Sequence, residues 1–161
     1  MNASRTDRQI LAIGLSAFKH GERFDHWPLH ITLVPWFCDA TQRHLSRKLE
    51  ELSETFKPIT VSVGKQALFG AHHDIPVSLI ESSRNLQRLH VAALKMVYYS
   101  GAELDDPSYV NYKYRPHIST RHNEILAEQY VLDNLALVRD LGQNERQVEK
   151  VVRFRNDETT A

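Results

Sequence analysis

Two short stretches of this chain carry a histidine among apolar neighbours. Residues 27 to 37 read WPLHITLVPWF, and residues 114 to 121 read YRPHISTR. In each, a histidine closely following a proline precedes an isoleucine and then a hydroxyl residue: His30-Ile31-Thr32 and His117-Ile118-Ser119. Side chains alternate faces along a strand, so His30 and Thr32 share one face while Ile31 points to the other. His117 and Ser119 share a face in the same way, with Ile118 opposite. If the two strands lie together, two imidazoles and two hydroxyls line one cleft. That set suits phosphoryl transfer. An imidazole of ordinary pKa can take a proton from an attacking oxygen, and a second can give one to the leaving oxygen. Hydroxyls can donate to the non-bridging phosphate oxygens, where transition-state charge gathers. An acid–base pair of this kind predicts a bell-shaped rate profile centred near about pH 6 to 7.

A single histidine in an apolar strand is usually a core residue with a satisfied hydrogen bond, and one His-x-hydroxyl triplet is common by chance. The pair, about half the chain apart, points to chemistry. Continuing the alternation places Arg121 on the second motif's face, where a guanidinium could neutralise phosphate charge. The same offset on the first strand gives Val34, which predicts a chemically lopsided site.

The elements that must position these residues follow from periodicity. Strands are predicted over 9–16, 28–37, 59–70, 75–82 and 115–121. Two more, 135–141 and 147–155, are joined by the GQNE hairpin. Residues 17–27 read as a polar loop and 102–114 as a loop with three tyrosines. An amphipathic helix over 39–56 carries Leu45, Leu49, Leu52 and Phe56 on one face, with Asp39 or Thr41 as its cap. A second helix over 83–101 presents Leu86, Leu89, Ala93 and Val97 and ends at Gly101. A third helix is predicted over 123–134, and a frayed tail from Asn156. The order is not a clean strand–helix alternation. It indicates an α+β class, an antiparallel sheet with helices packed on one side.

The 161 residues fit a single domain over 1–161, with an ordered core of roughly 8–154. Twenty Lys and Arg balance twenty Asp and Glu, giving a net charge of zero. That excludes binding of long DNA through a bulk field but permits a local site for a short oligonucleotide or nucleotide. Cys38 is the only cysteine, so no internal disulfide forms, and it is expected to be a small buried hydrophobe. No apolar run is long enough to cross a bilayer, and the N-terminus lacks the apolar core of a signal peptide. A cytoplasmic, monomeric protein without membrane association is expected.

With HITL at His30–Leu33 and HIST at His117–Thr120, the chain resembles the 2H phosphoesterase superfamily, which includes 2′-5′ RNA ligase-like proteins and cyclic nucleotide phosphodiesterases. The order of elements around the motifs, including ALFG at 67–70, extends the resemblance to roughly residues 8–154. It implies two pseudo-symmetric lobes of antiparallel sheet with a central cleft. It implies His30, Thr32, His117 and Ser119 as the functional residues, with no metal or other cofactor. Ser119 stands where Thr is commoner, and only the hydroxyl is needed. Arg121 matches the family's later basic residue loosely.

Trp27 and Trp36 flank the first motif and can be core or can stack on a base; Trp36 is read as core. Tyr109, Tyr112, Lys113, Tyr114 and Arg115 precede the second motif, and binding and solvated-loop readings stand side by side. Trp27, Tyr114, Arg115 and Arg121 are taken as substrate-binding candidates. His72, His73 and Asp74 sit in a turn and do not have the spacing of a catalytic zinc site. The leading expectation is a phosphoesterase acting on a 2′,3′-cyclic phosphate of an RNA end or nucleotide. The competing readings are 2′-5′ RNA end-joining, a non-catalytic RNA- or nucleotide-binding module, and a plain interaction domain with structural histidines.

Overall fold

The structure is a computed structural model describing residues 8–120 and 125–155. In chain order the elements are β1 (Gln9–Gly14), β2 (Arg23–Phe24), β3 (His30–Cys38), α1 (Gln42–Thr55), β4 (Ile59–Phe69), β5 (Ile75–Ile80), α2 (Arg84–Tyr99), β6 (Glu103–Leu104), β7 (His117–Ser119), β8 (Gln129–Leu132), β9 (Asn134–Gly142) and β10 (Glu145–Arg153). Two 3-10 turns, Pro107–Tyr109 and Asn111–Lys113, lie before β7.

The strands run in the order β2-β10-β9-β1-β3-β7-β5-β4-β8, with β6 added to β3. Every described pairing is antiparallel. The α+β class is therefore as expected. One lobe comprises β2, β10, β9, β1 and β3; the other comprises β7, β5, β4 and β8. They meet at β3 and β7, where Ile31 pairs with Ile118.

That pair anchors the junction. Both isoleucines are fully buried among the apolar side chains of α1 and α2. Burying each contributes roughly 1.5–3 kcal/mol. The helices cover this face because their apolar residues recur every three to four positions. Leu45 and Leu49 of α1 and Leu86, Leu89, Ala93 and Val97 of α2 are all buried. Ser83 caps α2 by accepting from the Leu86 N–H. Gly101, at φ +88°, follows its end in the left-handed conformation that glycine adopts without strain. On the opposite face of the first lobe, Ile10, Ala12, Phe18, Ala136, Val138 and Val148 form a second cluster, packed against Phe24, Trp27 and Trp36.

Four details depart from the sequence reading. No helix occupies the described part of 123–134: Gln129–Leu132 is an edge strand, paired to β4 through Ile59 and Leu132. Residues 123 and 124 lie outside the described segment. Leu132 is buried and Val131 is 56% exposed, the period of two of a strand. The loop at 17–27 contributes β2 to the edge of β10. Thr41 stands at the N-cap of α1 but makes no side-chain cap bond; its N–H donates to the Ser100 carbonyl instead. Cys38 is half-buried at the end of β3. The expected frayed tail lies outside the described residues.

Candidate active site at the junction of the lobes

Ile31 and Ile118 turn into the core, so their neighbours turn the other way. The antiparallel register around this pair sets His30 across from Ser119 and Thr32 across from His117. The two imidazoles occupy diagonal positions, for which side chains lie roughly 7–8 Å apart. His117 is close enough for its charge to disfavour protonation of His30. The four motif residues come together on one face.

Each imidazole is held in the same way. His30 Nδ1 lies 2.9 Å from the Pro28 carbonyl, and His117 Nδ1 lies 2.8 Å from the Arg115 carbonyl. A carbonyl only accepts, so Nδ1 carries the hydrogen in both rings and the neutral tautomer leaves Nε2 bare. Each bond is to the residue two positions earlier, which ties the ring to its own strand entry. Among the described residues, the Thr32 and Ser119 hydroxyls have no side-chain hydrogen bond and are free to donate to a ligand.

The rings are also wedged by aromatics that carry cations. Trp27 stacks on His30 at 4.3 Å, with its planes 30° apart, and the Arg146 guanidinium lies 5.5 Å from the Trp27 centroid. Phe69 meets His117 edge-on at 4.7 Å, and Arg115 lies 4.9 Å from the Phe69 centroid. The two halves thus repeat one arrangement of imidazole, aromatic ring and guanidinium. Burial lowers the His30 pKa to about 4, with smaller contributions from His117 and Arg146, against the raising effect of the Pro28 bond. Burial and Arg115 likewise lower His117. Both rings are neutral in the free protein near pH 7, with Nε2 ready to accept a proton.

Arg115 stands beside His117, and Trp27 packs against His30. Tyr114 is not brought to the cleft: it lies on the helix side, where its hydroxyl donates to the Thr32 carbonyl at 2.7 Å. Arg121 lies outside the described residues. Val34 does not continue the His30 face. A bulge lets Thr32 pair with Ala12 while Val34 pairs with Leu11, so Leu33 and Val34 both enter the core. Trp36 packs on the second cluster with Arg8 over its ring at 4.8 Å. The tyrosine loop packs against α2, away from the cleft: Gln87 Nε2 donates to the Asn111 carbonyl. His72, His73 and Asp74 form the exposed β4–β5 turn. No group of three or more metal-ligating side chains occurs among the described residues.

Two neighbours of the site escaped the sequence reading. Arg146 is on the β10 hairpin, far from either motif, and no local pattern marks it. Phe69 had a signal, since it lies in the ALFG segment that helped carry the family resemblance.

The site thus lies on an α+β fold of two antiparallel lobes, joined at the paired histidine strands and covered by helices on one face. The chain belongs to the 2′-5′ RNA ligase superfamily, whose sequence profile matches residues 5–159. Among solved structures, a phosphoesterase aligns with a TM-score of 0.64 at 14% identity, covering 94% of this chain and 99% of its own. E. coli LigT in complex with NADP+ aligns at 0.62 and 14% identity, covering 95% of this chain and 100% of its own. LigT in complex with 3′-AMP gives 0.62 and 14%, with 93% and 99% coverage. At such identity the likeness is one of fold. No curated protein sequence matches significantly.

Proposed function

We propose that this protein opens a 2′,3′-cyclic phosphate of a nucleotide or RNA end, with His30 and His117 as the base and acid. The observation that carries this reading is that both imidazoles are fixed through Nδ1, which leaves Nε2 bare, beside two hydroxyls that have no side-chain hydrogen bond among the described residues. His30, lowered to about 4, stays neutral over the working range and is assigned as the base. It takes a proton from water as the water oxygen bonds to phosphorus. The bond from phosphorus to one ribose oxygen breaks, and His117 gives that oxygen a proton. The product is a ribose phosphomonoester. Thr32 and Ser119 donate to the non-bridging oxygens, and Arg115 and Arg146 offset their charge. In joining of RNA ends a 5′-hydroxyl takes the place of water: its oxygen bonds to phosphorus, the same ribose–phosphorus bond breaks, and the two imidazoles keep the roles of base and acid. LigT complexes with NADP+ and 3′-AMP support a nucleotide-like ligand for this cleft. The direct test is turnover of nucleoside 2′,3′-cyclic phosphates and of oligonucleotides with cyclic phosphate ends.

Because this constellation supplies protons and hydrogen bonds rather than metal ligands, activity is expected to survive EDTA unchanged. Loss of turnover with chelator and its return with a divalent ion would contradict the mechanism.

The lowered imidazoles also move the pH profile. In the free enzyme the acid limb of kcat/KM marks protonation of the base, at about pH 4 for His30. The alkaline limb marks loss of the acid's proton, below the ordinary histidine value of 6.5 for His117. The kcat/KM optimum is therefore expected below about pH 6.5, lower than unperturbed histidines give. A bound phosphate anion favours imidazolium, so the kcat optimum lies at higher pH than that of kcat/KM. A kcat/KM optimum above pH 7 would contradict the assignment.

A further inference from the structure

Past its contact with β7, the edge of β3 has no strand partner among the described residues until β6 pairs with Phe37. β7 begins at His117, directly after Pro116, and proline has no N–H to extend the ladder. Side chains take the carbonyls there instead. The Tyr114 hydroxyl donates to the Thr32 carbonyl at 2.7 Å, and His90 Nδ1 donates to the Leu33 carbonyl at 2.7 Å. His90 is fully buried on α2, and its Nε2 accepts from the Asn111 N–H at 2.9 Å. Its ring stacks on Tyr114 at 3.9 Å, with the planes 8° apart. Asn111 adopts φ +58°, a left-handed conformation that asparagine tolerates better than most residues.

These bonds fall on the bulge that separates Thr32 from Leu33 and Val34. Without the bulge, strict alternation would send Val34 to the cleft face. With it, Thr32 keeps its hydroxyl toward the cleft while the next two side chains enter the core.

We propose that His90 and Tyr114 are positioning residues: a buried brace that stands in for the missing strand, fixes the β3 bulge and aims the Thr32 hydroxyl at the substrate phosphate. The brace rests on the reading of Thr32 as a phosphate donor. It acts through Thr32 and touches no reacting atom. Both His90 nitrogens are occupied by backbone groups, so the ring stays neutral with Nδ1 protonated. Protonation of Nε2 would break the bond from Asn111.

Tyr114→Phe tests this, since it keeps the ring stacked on His90 and deletes only the bond to Thr32. Displacing a reacting group by a fraction of an ångström to 1 Å costs up to about 10²-fold. The variant is expected to lose roughly 10- to 100-fold in kcat on a cyclic phosphate, with KM within about two-fold. In the Thr32→Ala background the same change should cost less than about two-fold, because the group being aimed is gone. Thr32→Ala itself sets the floor. Equal losses in both backgrounds would assign Tyr114 a general structural role and overturn the proposal, as would wild-type kcat in Tyr114→Phe.

A second arm needs no turnover. In ¹⁵N-imidazole spectra of the wild type, His90 should remain neutral with Nδ1 protonated from about pH 5 to 8. Tyr114→Phe should shift the Thr32 carbonyl resonance and leave those of the β9–β10 hairpin in place. A His90 that titrates near its ordinary value, or an unmoved Thr32 carbonyl, would refute the brace. A wild type that turns over no cyclic phosphate would instead refute the proposed function, and the spectra would still decide on the brace.

Discussion

Replacing either His30 or His117 by alanine is expected to lower kcat/KM on a cyclic phosphate by roughly 10²–10⁴-fold. Each substitution removes one of the two proton transfers. The Nδ1 partners are backbone carbonyls, not carboxylates, so among the described residues no side chain hydrogen-bonded to either ring is placed to become a substitute base. The guanidinium groups of Arg115 and Arg146 present hydrogen-bond donors only and offer no basic nitrogen in place of an imidazole. The double variant should lose far less than the product of the single losses, because an acid and a base acting in one step fail together. Steady-state kinetics on the three variants, with folding checked by circular dichroism, measures this. The folding check matters because His30 packs on Trp27 and His117 on Phe69. Folded single variants within about two-fold of the wild-type rate would exclude catalysis by these residues, while losses that simply multiply would mean the two imidazoles act in separate steps.

Thr32→Ala and Ser119→Ala are expected to cost roughly 10–10³-fold each, mainly in kcat. A donor aimed at transition-state charge is worth a few kcal/mol in a water-poor site. Here two hydroxyls and two guanidiniums share that charge, so removing one leaves partial compensation. Ser119 is exposed and Thr32 half-buried. The better shielded Thr32 should show the larger loss, because electrostatic interactions strengthen as water is excluded. Thr32→Ser, which keeps the hydroxyl, should restore most of the rate. If Thr32→Ala raised KM with kcat unchanged, the hydroxyl would be a ground-state binder and not a transition-state donor.

What the sequence reveals here is set by how local each cause is. His30 with Thr32 and His117 with Ser119 are legible because strand alternation needs only adjacent residues. The faces of α1 and α2 are legible for the same reason. The β3 bulge is not, since it depends on Tyr114, His90 and the end of β7. It reverses the expected placement of Val34, and Tyr114 turns to the helix side, where its hydroxyl donates to the Thr32 carbonyl. The stretch around Tyr130 and Leu132 suits either a helix or a strand until the free edge of β4 selects the strand. Arg146 illustrates the remaining limit. It reaches Trp27 through a hairpin whose pairing with β1 and β2 brings distant segments together, and nothing near position 146 announces that.

Breakage of a cyclic phosphodiester bond by these two imidazoles is directly observable at phosphorus. The most direct measurement is ³¹P NMR of a nucleoside 2′,3′-cyclic phosphate incubated with the wild-type protein near pH 6, beside the His30→Ala/His117→Ala double variant. The cyclic phosphate resonance is expected to give way to a single ribose phosphomonoester resonance with the wild type, and to persist with the double variant. An unchanged cyclic resonance across bases and cyclic-ended oligonucleotides, or equal conversion by the folded double variant, would contradict it.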